Sequence, residues 1–334
     1  MNQTFVGCSM YHIYLSMLLA FQYKKSDHKS LLVVIEDRTE GIQDYIEPLK
    51  ALGAFEDVVA VRSYGVVKNL KKKSGAFNYI FNRANSLKKS FEDENPQLQK
   101  YHEFILESEI NLYHIVNSRA YFLINYPKNS FRMIEEGTGT YRHKMPFSRK
   151  LKRTLMGYPL LMGYDKQVKE VLVQQPTDMQ DPFLRAKSVK LDLNYLQSSL
   201  TEEEISNISK CFGLTSELTD KNQEKAIILT QPLIEAGFKV TKEEMIAIYQ
   251  DMINDAKEKG LKVYLKMHPR EEIDYNLAFK KEKVIVLPKL LPIELINLDN
   301  SIKFQEAYTI CSGSIDNLIN VKNKNSLGFD YLKK

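Results

Sequence analysis

Three short runs in this chain carry side chains that could move a proton or hold an anion. The first is Glu135-Glu136-Gly137, where an apolar strand, Phe131 to Ile134, ends in two adjacent carboxylates and a glycine turn. A carboxylate can serve as a general base. Side chains alternate along a strand, so the two should point to opposite sides. The second run is Lys266-Met267-His268-Pro269-Arg270, which sets a ring with an ordinary pKa of about 6.5 between two cations. The third is Ser312-Gly313-Ser314, where hydroxyls and backbone N–H groups at a helix start would cradle an anion. Glu294, two residues after Pro292, belongs in the expected first turn of a helix, a position that favours a carboxylate. Each feature alone is also what a strand cap, an acidic turn or a serine helix cap looks like.

The elements around these groups read as alternating strands and helices. Leu261 to Leu265, opened by Gly260 and closed by Pro269, predicts a buried strand that ends at His268. Before it, Thr241 and Glu244 make a capping box, and Met245, Ile248, Tyr249, Met252, Ile253 and Ala256 recur at helical spacing. Ala226 to Thr230 predicts the preceding strand. The result is a βαβ unit, hence a parallel sheet that presents its ligand groups at the strands' carboxyl ends. The N-terminal half repeats the pattern, with strands at Thr4 to Ser9, Leu31 to Ile35 and Val58 to Val61 and helices at His12 to Tyr23 and Tyr45 to Leu52. Phe104 to Leu106 reads as a strand and His114 to Val116 as a helix start. Further strands are expected at Val168 to Val173, Val284 to Leu287 and Tyr308 to Cys311, the last running into a helix from Ser312 to Ile319. The fold class is α/β, with an N-terminal domain over 1–155 and a C-terminal domain over 156–334.

A composition of 43% hydrophobic and 27% charged residues excludes disordered and fibrous classes, and 334 residues suffice for two cores. Cys8, Cys211 and Cys311 are odd in number and far apart, which argues against a disulfide framework and fits a reducing cytoplasm. No apolar run approaches the roughly 20 residues needed to cross a bilayer, and Tyr11 to Phe21 reads as a buried helix. The net charge of +5 is unevenly placed. Lys68, Lys71, Lys72 and Lys73, with Arg83, Lys88 and Lys89, lack interleaved stacking aromatics. A solvated face is expected there, with no nucleic-acid partner. Arg142 to Arg153 mixes basic residues with Met145, Pro146 and Phe147, which suits peripheral contact with an anionic inner-membrane surface or a solvated connection between domains.

Taken in order, the acidic pair with glycine, the His268-Pro269 pair and the serine turn resemble the D/E-D/E-G, HP and paired-serine motifs of bacterial sialyltransferases in glycosyltransferase families 52, 38 and 80. The opening Val6-Gly7-Cys8-Ser9-Met10-Tyr11-His12 is most similar to family 52, which includes lipooligosaccharide and capsule enzymes. The likeness runs over nearly the whole chain, with 158–222 contributing little. Here the serines are split by Gly313, and the acidic pair is Glu-Glu.

This resemblance implies a GT-B fold, two Rossmann-like domains facing across a cleft. It also implies a general base from Glu135 or Glu136. His268 would meet the phosphate of a CMP-sugar donor, with Lys266 and Pro269 beside it. Ser312, Gly313 and Ser314 would hold the same phosphate, and Glu294 the ribose. The expected reaction is inverting transfer of sialic acid from CMP-sialic acid to a hydroxyl of a galactose-terminated or sialylated surface glycan, capsule or lipooligosaccharide, in the cytoplasm or at its membrane face. No cofactor or metal is expected, since no D-x-D stands at a strand end; Asp192-Leu193-Asn194 precedes an ordinary helix. Two other readings fit the same residues. One is a hexosyl or polyol-phosphate transferase of the same fold, and the other a non-enzymatic protein that binds membrane surfaces.

Overall fold

The computed structural model describes residues 1–36, 39–63, 66, 82–113, 119–214, 218, 223–328 and 330–331. The chain divides into two units, Met1–Leu200 and Thr201–Lys334. Each is a parallel sheet with helices.

Among its described residues the first unit holds seven strands: β1 (Asn2–Gly7), β2 (Ser30–Ile35), β3 (Asp57–Val61), β4 (Ser108–Tyr113), β5 (Phe131–Ile134), β6 (Val168–Val173) and β7 (Ser188–Lys190). Their spatial order is β3-β2-β1-β4-β5-β6-β7. β2 is Ser-Leu-Leu-Val-Val-Ile and buried throughout, the continuous apolar run expected where both faces of a parallel sheet are covered. The first helix, Met10–Lys24, buries eleven of its fifteen residues, so Tyr11 to Phe21 lies inside the unit as expected. Ser9 caps it, with Oγ accepting from His12 N at 3.3 Å.

The second unit holds β8 (Lys225–Leu229), β9 (Lys262–Lys266), β10 (Ile285–Val286), β11 (Phe304–Thr309) and β12 (Val321–Ser326), in the order β10-β9-β8-β11-β12. The capping box before the helix Lys242–Glu258 forms as expected. Thr241 Oγ1 accepts from Glu244 N at 3.1 Å, and Glu244 Oε2 accepts from Thr241 N at 2.7 Å. Met245, Tyr249, Met252, Ile253 and Ala256 face inward from this helix, and the βαβ unit stands.

Four expectations change. The boundary expected after residue 155 falls after Leu200, because β6 pairs with β5 and β7 with β6, completing the first sheet. Phe104 to Leu106 is helical, within His102–Leu106, and the strand is Ser108–Tyr113. Its polar residues hid it: Asn111 Nδ2 donates to Gln3 Oε1 at 3.0 Å, and Glu109 pairs with Arg132 at 2.7 Å, so the buried amide N–H and carboxylate find partners on neighbouring strands. The helix expected from Ser312 is a single 3-10 turn, Gly313–Ile315, after which the chain returns as β12 beside β11. The one expected around Glu294 is likewise 3-10, Ile293–Leu298. His114 to Val116, and Lys68 and Lys71 to Lys73, lie outside the described residues. Arg83, Lys88 and Lys89 lie on the helix Arg83–Glu94.

A fragment ending at residue 155 would strip β6 from β5 and open the apolar face of a paired strand to water. We expect that fragment to aggregate and a 1–200 fragment to unfold cooperatively; soluble, cooperatively melting 1–155 protein would restore the earlier boundary.

Candidate active site

In a parallel sheet every strand ends on the same edge, and ligands gather where neighbouring connections diverge to opposite sides. In the first unit that divergence lies between β1 and β4. The residues that follow β1 are Cys8 and Ser9, and β5, beside β4, runs into Glu135 and Glu136.

The two carboxylates differ sharply. Glu135 is 1% exposed. Its Oε1 accepts from Tyr11 Oη at 3.2 Å and from Gln174 Nε2, and its Oε2 from Gln174 N at 2.9 Å and from Tyr141 Oη. Glu135 N donates to Leu172 O at 3.0 Å, which prolongs the β5–β6 pairing by one residue. Glu136 points the other way, as strand alternation requires, with its side chain 40% exposed. Its backbone N donates to Thr140 Oγ1 at 3.0 Å, and Gly137 follows with φ 113° and ψ −161°, a region open essentially to glycine alone.

Facing Glu136 is a residue to which the sequence reading gave no role. His12 Nε2 lies 3.7 Å from Glu136 Oε1, and the imidazole is fully buried. Cys8 N donates to His12 Nδ1 at 3.2 Å, so in the neutral ring the proton resides on Nε2, toward the carboxylate. The ring stacks on Tyr113, centroids 4.4 Å apart and planes within 10°. Gly7 makes room: a Cβ there would stand 2.9 Å from His12 Cβ. The spacing Gly7, Ser9, His12 was the available signal, a strand-end glycine and a helix cap with histidine three residues on. Arg119, 2% exposed, adds a guanidinium 2.8 Å from Cys8 Sγ. A half-exposed carboxylate backed by an imidazole is an arrangement in which the ring steadies the negative charge until the carboxylate takes a proton.

In the second unit the connections diverge between β8 and β11, and the expected residues gather around that point. Gln231, just past β8, accepts through Oε1 from Cys311 N at 2.7 Å and from Cys311 Sγ at 2.9 Å, tying the end of β8 to the end of β11. On the other side, Thr230 Oγ1 accepts from His268 N at 3.0 Å. Glu271, 1% exposed, also accepts from His268 N, at 2.8 Å, and from Tyr275 Oη at 2.8 Å and the Thr230 hydroxyl. Gln231 and Glu271 were missed because a polar residue after a strand reads as ordinary loop.

His268 departs from expectation in charge. Burial pushes its pKa from 6.5 down to about 4, and Arg270, Lys266 and Lys289 push the same way. It is therefore neutral near pH 7. Arg270 N donates to Nδ1 at 3.1 Å, which leaves the proton on Nε2 as a neutral donor. Pro269 holds His268 in extended backbone.

Lys266 does not present its ammonium to a ligand. It is 6% exposed, and Nζ donates to Met267 O at 2.6 Å and Lys289 O at 2.9 Å, while burial draws its pKa down to about 8. Glu294, expected in an open first turn, is 5% exposed, with Asn317 Nδ2 donating to Oε1 at 3.4 Å. Burial raises its pKa above the usual carboxyl range. Ser312, Gly313 and Ser314 do sit at the end of β11. There Ser312 Oγ accepts from Ser314 N at 3.3 Å and Ser312 N donates to Thr309 Oγ1 at 3.1 Å.

Two parallel α/β units with these groups at their strand ends define a glycosyltransferase of the GT-B class. The family model for glycosyltransferase family 52 matches residues 54–327, and the chain belongs to that family. An uncharacterized protein of Haemophilus influenzae is 28% identical over 214 residues, 63% of this chain and 67% of that protein. Among solved structures, the GT-B domain of a sialyltransferase from Photobacterium damselae is similar with a TM-score of 0.57. The match covers 97% of this chain and 89% of that one at 11% identity, a likeness of fold.

Glu135→Gln puts an amide where four donors converge and should destabilise the first unit by about 1 to 3 kcal/mol, whereas Glu136→Gln should melt like wild type; equal melting of the two would remove Glu135's anchoring role. By NMR the His268 ring should titrate near 4 in the free protein, and a bound phosphate monoester should move it upward. A titration near 6.5 without ligand would show the ring to be solvated.

Proposed function

We propose that the protein is an inverting sialyltransferase that moves sialic acid from CMP-sialic acid to a hydroxyl of a galactose-terminated or sialylated surface glycan. The observation that carries the reading is Glu136, a strand-end carboxylate half exposed to solvent and backed at 3.7 Å by His12 Nε2, in a family 52 chain. The order of the acidic, His-Pro and serine motifs supports the choice of donor.

In this reading Glu136 removes the acceptor's hydroxyl proton as its oxygen bonds to the anomeric carbon. The bond from that carbon to the phosphate oxygen breaks, its electron pair leaves with CMP, and attack from the opposite face inverts the centre. His12 steadies the carboxylate before transfer and leaves it room to hold the proton afterwards. His268 meets the leaving phosphate first as a neutral Nε2–H donor. An approaching dianion raises the imidazole's pKa, because the charged form gains a partner, so a proton can follow the departing oxygen. A neutral ring in the empty site avoids a buried cation that would hold the product after reaction. The serine turn offers its hydroxyls to the same phosphate. Lys266 and Glu294 act from beneath, Lys266 by binding the carbonyls of Met267 and Lys289 and so shaping the loop. No metal takes part in this scheme, since a monophosphate leaving group calls for less charge compensation than a diphosphate. The free cysteines suit a cytoplasmic enzyme.

The test is turnover with CMP-sialic acid and a lactoside, read by mass. Glu136→Gln and His268→Ala should each lower it by roughly 10² to 10⁴, with EDTA leaving the wild-type rate unchanged. CMP at about 100 times its Kd should stabilise the protein by about 2.7 kcal/mol, and uridine diphosphate should not. Protection by uridine diphosphate alone would assign the enzyme to another sugar donor.

A further inference from the structure

The basic stretch forms a helix, Phe147–Leu155, none of whose residues is buried. Phe147, Leu151 and Leu155 follow at intervals of four, and they are 78%, 49% and 78% exposed. Residues four apart share one edge of a helix. The unit therefore displays a continuous apolar edge to water, an arrangement that marks an interaction surface.

The edge is held outward. On the other side of the helix, Lys150 Nζ stands 3.9 Å from the Tyr164 ring centroid. The Arg153 guanidinium stands 5.2 Å from the Tyr158 ring, and its Nη1 donates to Pro159 O at 2.9 Å. These two cations moor the helix to the unit on that side, and the Phe147, Leu151 and Leu155 edge stands exposed. Exposed cations accompany the edge: Lys152 on the helix beside Leu155, Arg149 farther round it, and Arg142 and Lys144 in the residues that lead into it. No acidic residue stands between Glu136 and Asp165, so the helix itself carries charge of one sign, and Asp181 meets it at Lys150, on the moored side.

We propose that the helix Phe147–Leu155 seats its apolar edge in the interfacial layer of an anionic phospholipid bilayer, with the flanking cations on the headgroups. A basic amphipathic helix with large apolar side chains on one edge fits that partner on both counts. A second copy of this chain would set two surfaces of like sign against each other. A soluble polyanion would engage the cations and leave three exposed apolar side chains in water. No described helix is long and apolar enough to cross a membrane, so the contact is peripheral. Vesicle binding does not depend on which donor the enzyme uses, so it can be tested apart from the transfer reaction.

The full chain should sediment with phosphatidylglycerol-rich vesicles and not with phosphatidylcholine vesicles, and added salt should weaken the binding. Replacing Phe147, Leu151 and Leu155 together by Ser, or making Arg149→Glu with Lys152→Glu, should each weaken it by at least about tenfold, with the melting temperature and turnover on a soluble acceptor unchanged. The chain contains no tryptophan, so Phe147→Trp is a clean probe of depth. Its emission should shift to the blue with anionic vesicles and be quenched by brominated lipid. The proposal is overturned if anionic vesicles do not bind the protein, if the serine variant binds as well as wild type, or if the tryptophan remains solvated when bound. Loss of self-association in the serine variant, with no vesicle binding by wild type, would instead assign the edge to a second copy.

Discussion

The arrangement at the strand ends of the first unit depends on one buried carboxylate. Glu135 gathers donors from the first helix (Tyr11), from the turn after β5 (Tyr141) and from the residue after β6 (Gln174). A carboxylate with its lone pairs filled on a strand end holds three elements in register, and an unfilled one there would cost several times a single hydrogen bond. Because side chains alternate, pinning Glu135 inward is what turns Glu136 outward. Glu135 is the anchor and Glu136 the carboxylate left open to solvent, and the helix that supplies Tyr11 also supplies His12.

The second unit solves a similar problem with a different anchor. Glu271 and Thr230 both hold the backbone N–H of His268, so the loop that begins at the end of β9 is fixed to the end of β8. Around it, burial and three cations strip the imidazole of its charge. A group poised in its neutral form responds most to an arriving anion, whose field opposes those cations. The same cations that depress this pKa would favour an anionic ligand, which in turn would raise it.

Both anchors sit where parallel strands end, and this is why the sequence order of the motifs translates into place. Glu136 follows β5, His268 follows β9 and Ser312 follows β11 by a few residues each, so the polarity of the sheets brings every one of them to the carboxyl edge. The β5–β6 pairing also explains the domain division. With Leu172 O taken by Glu135 N, β6 cannot be released to another unit without losing the anchor.

The alternation of apolar strands and capped helices was legible in the sequence because it is written in local pattern: Leu-Leu-Val-Val-Ile, Ala-Ile-Ile-Leu, and the box at Thr241 all form as their spacing implies. The chemical residue types were legible too, since Glu136, His268 and the Ser312 turn stand at strand ends. What local pattern could not reveal was partnership. β4 escaped notice because its buried polar residues Asn111 and Glu109 find partners in Gln3 and Arg132, remote from it in the chain. Glu294 and Lys266 looked like ligands because their burial comes from packing that no window of sequence contains. The charge of His268 likewise depends on what surrounds it, Lys289 included, some twenty residues away. Residue type and period are properties of the chain, so the sequence alone determined the apolar strands, the capped helix at Thr241 and the candidate groups. Burial, protonation and the choice between Glu135 and Glu136 depend on distances between remote residues, and those exist only once the sheets have formed.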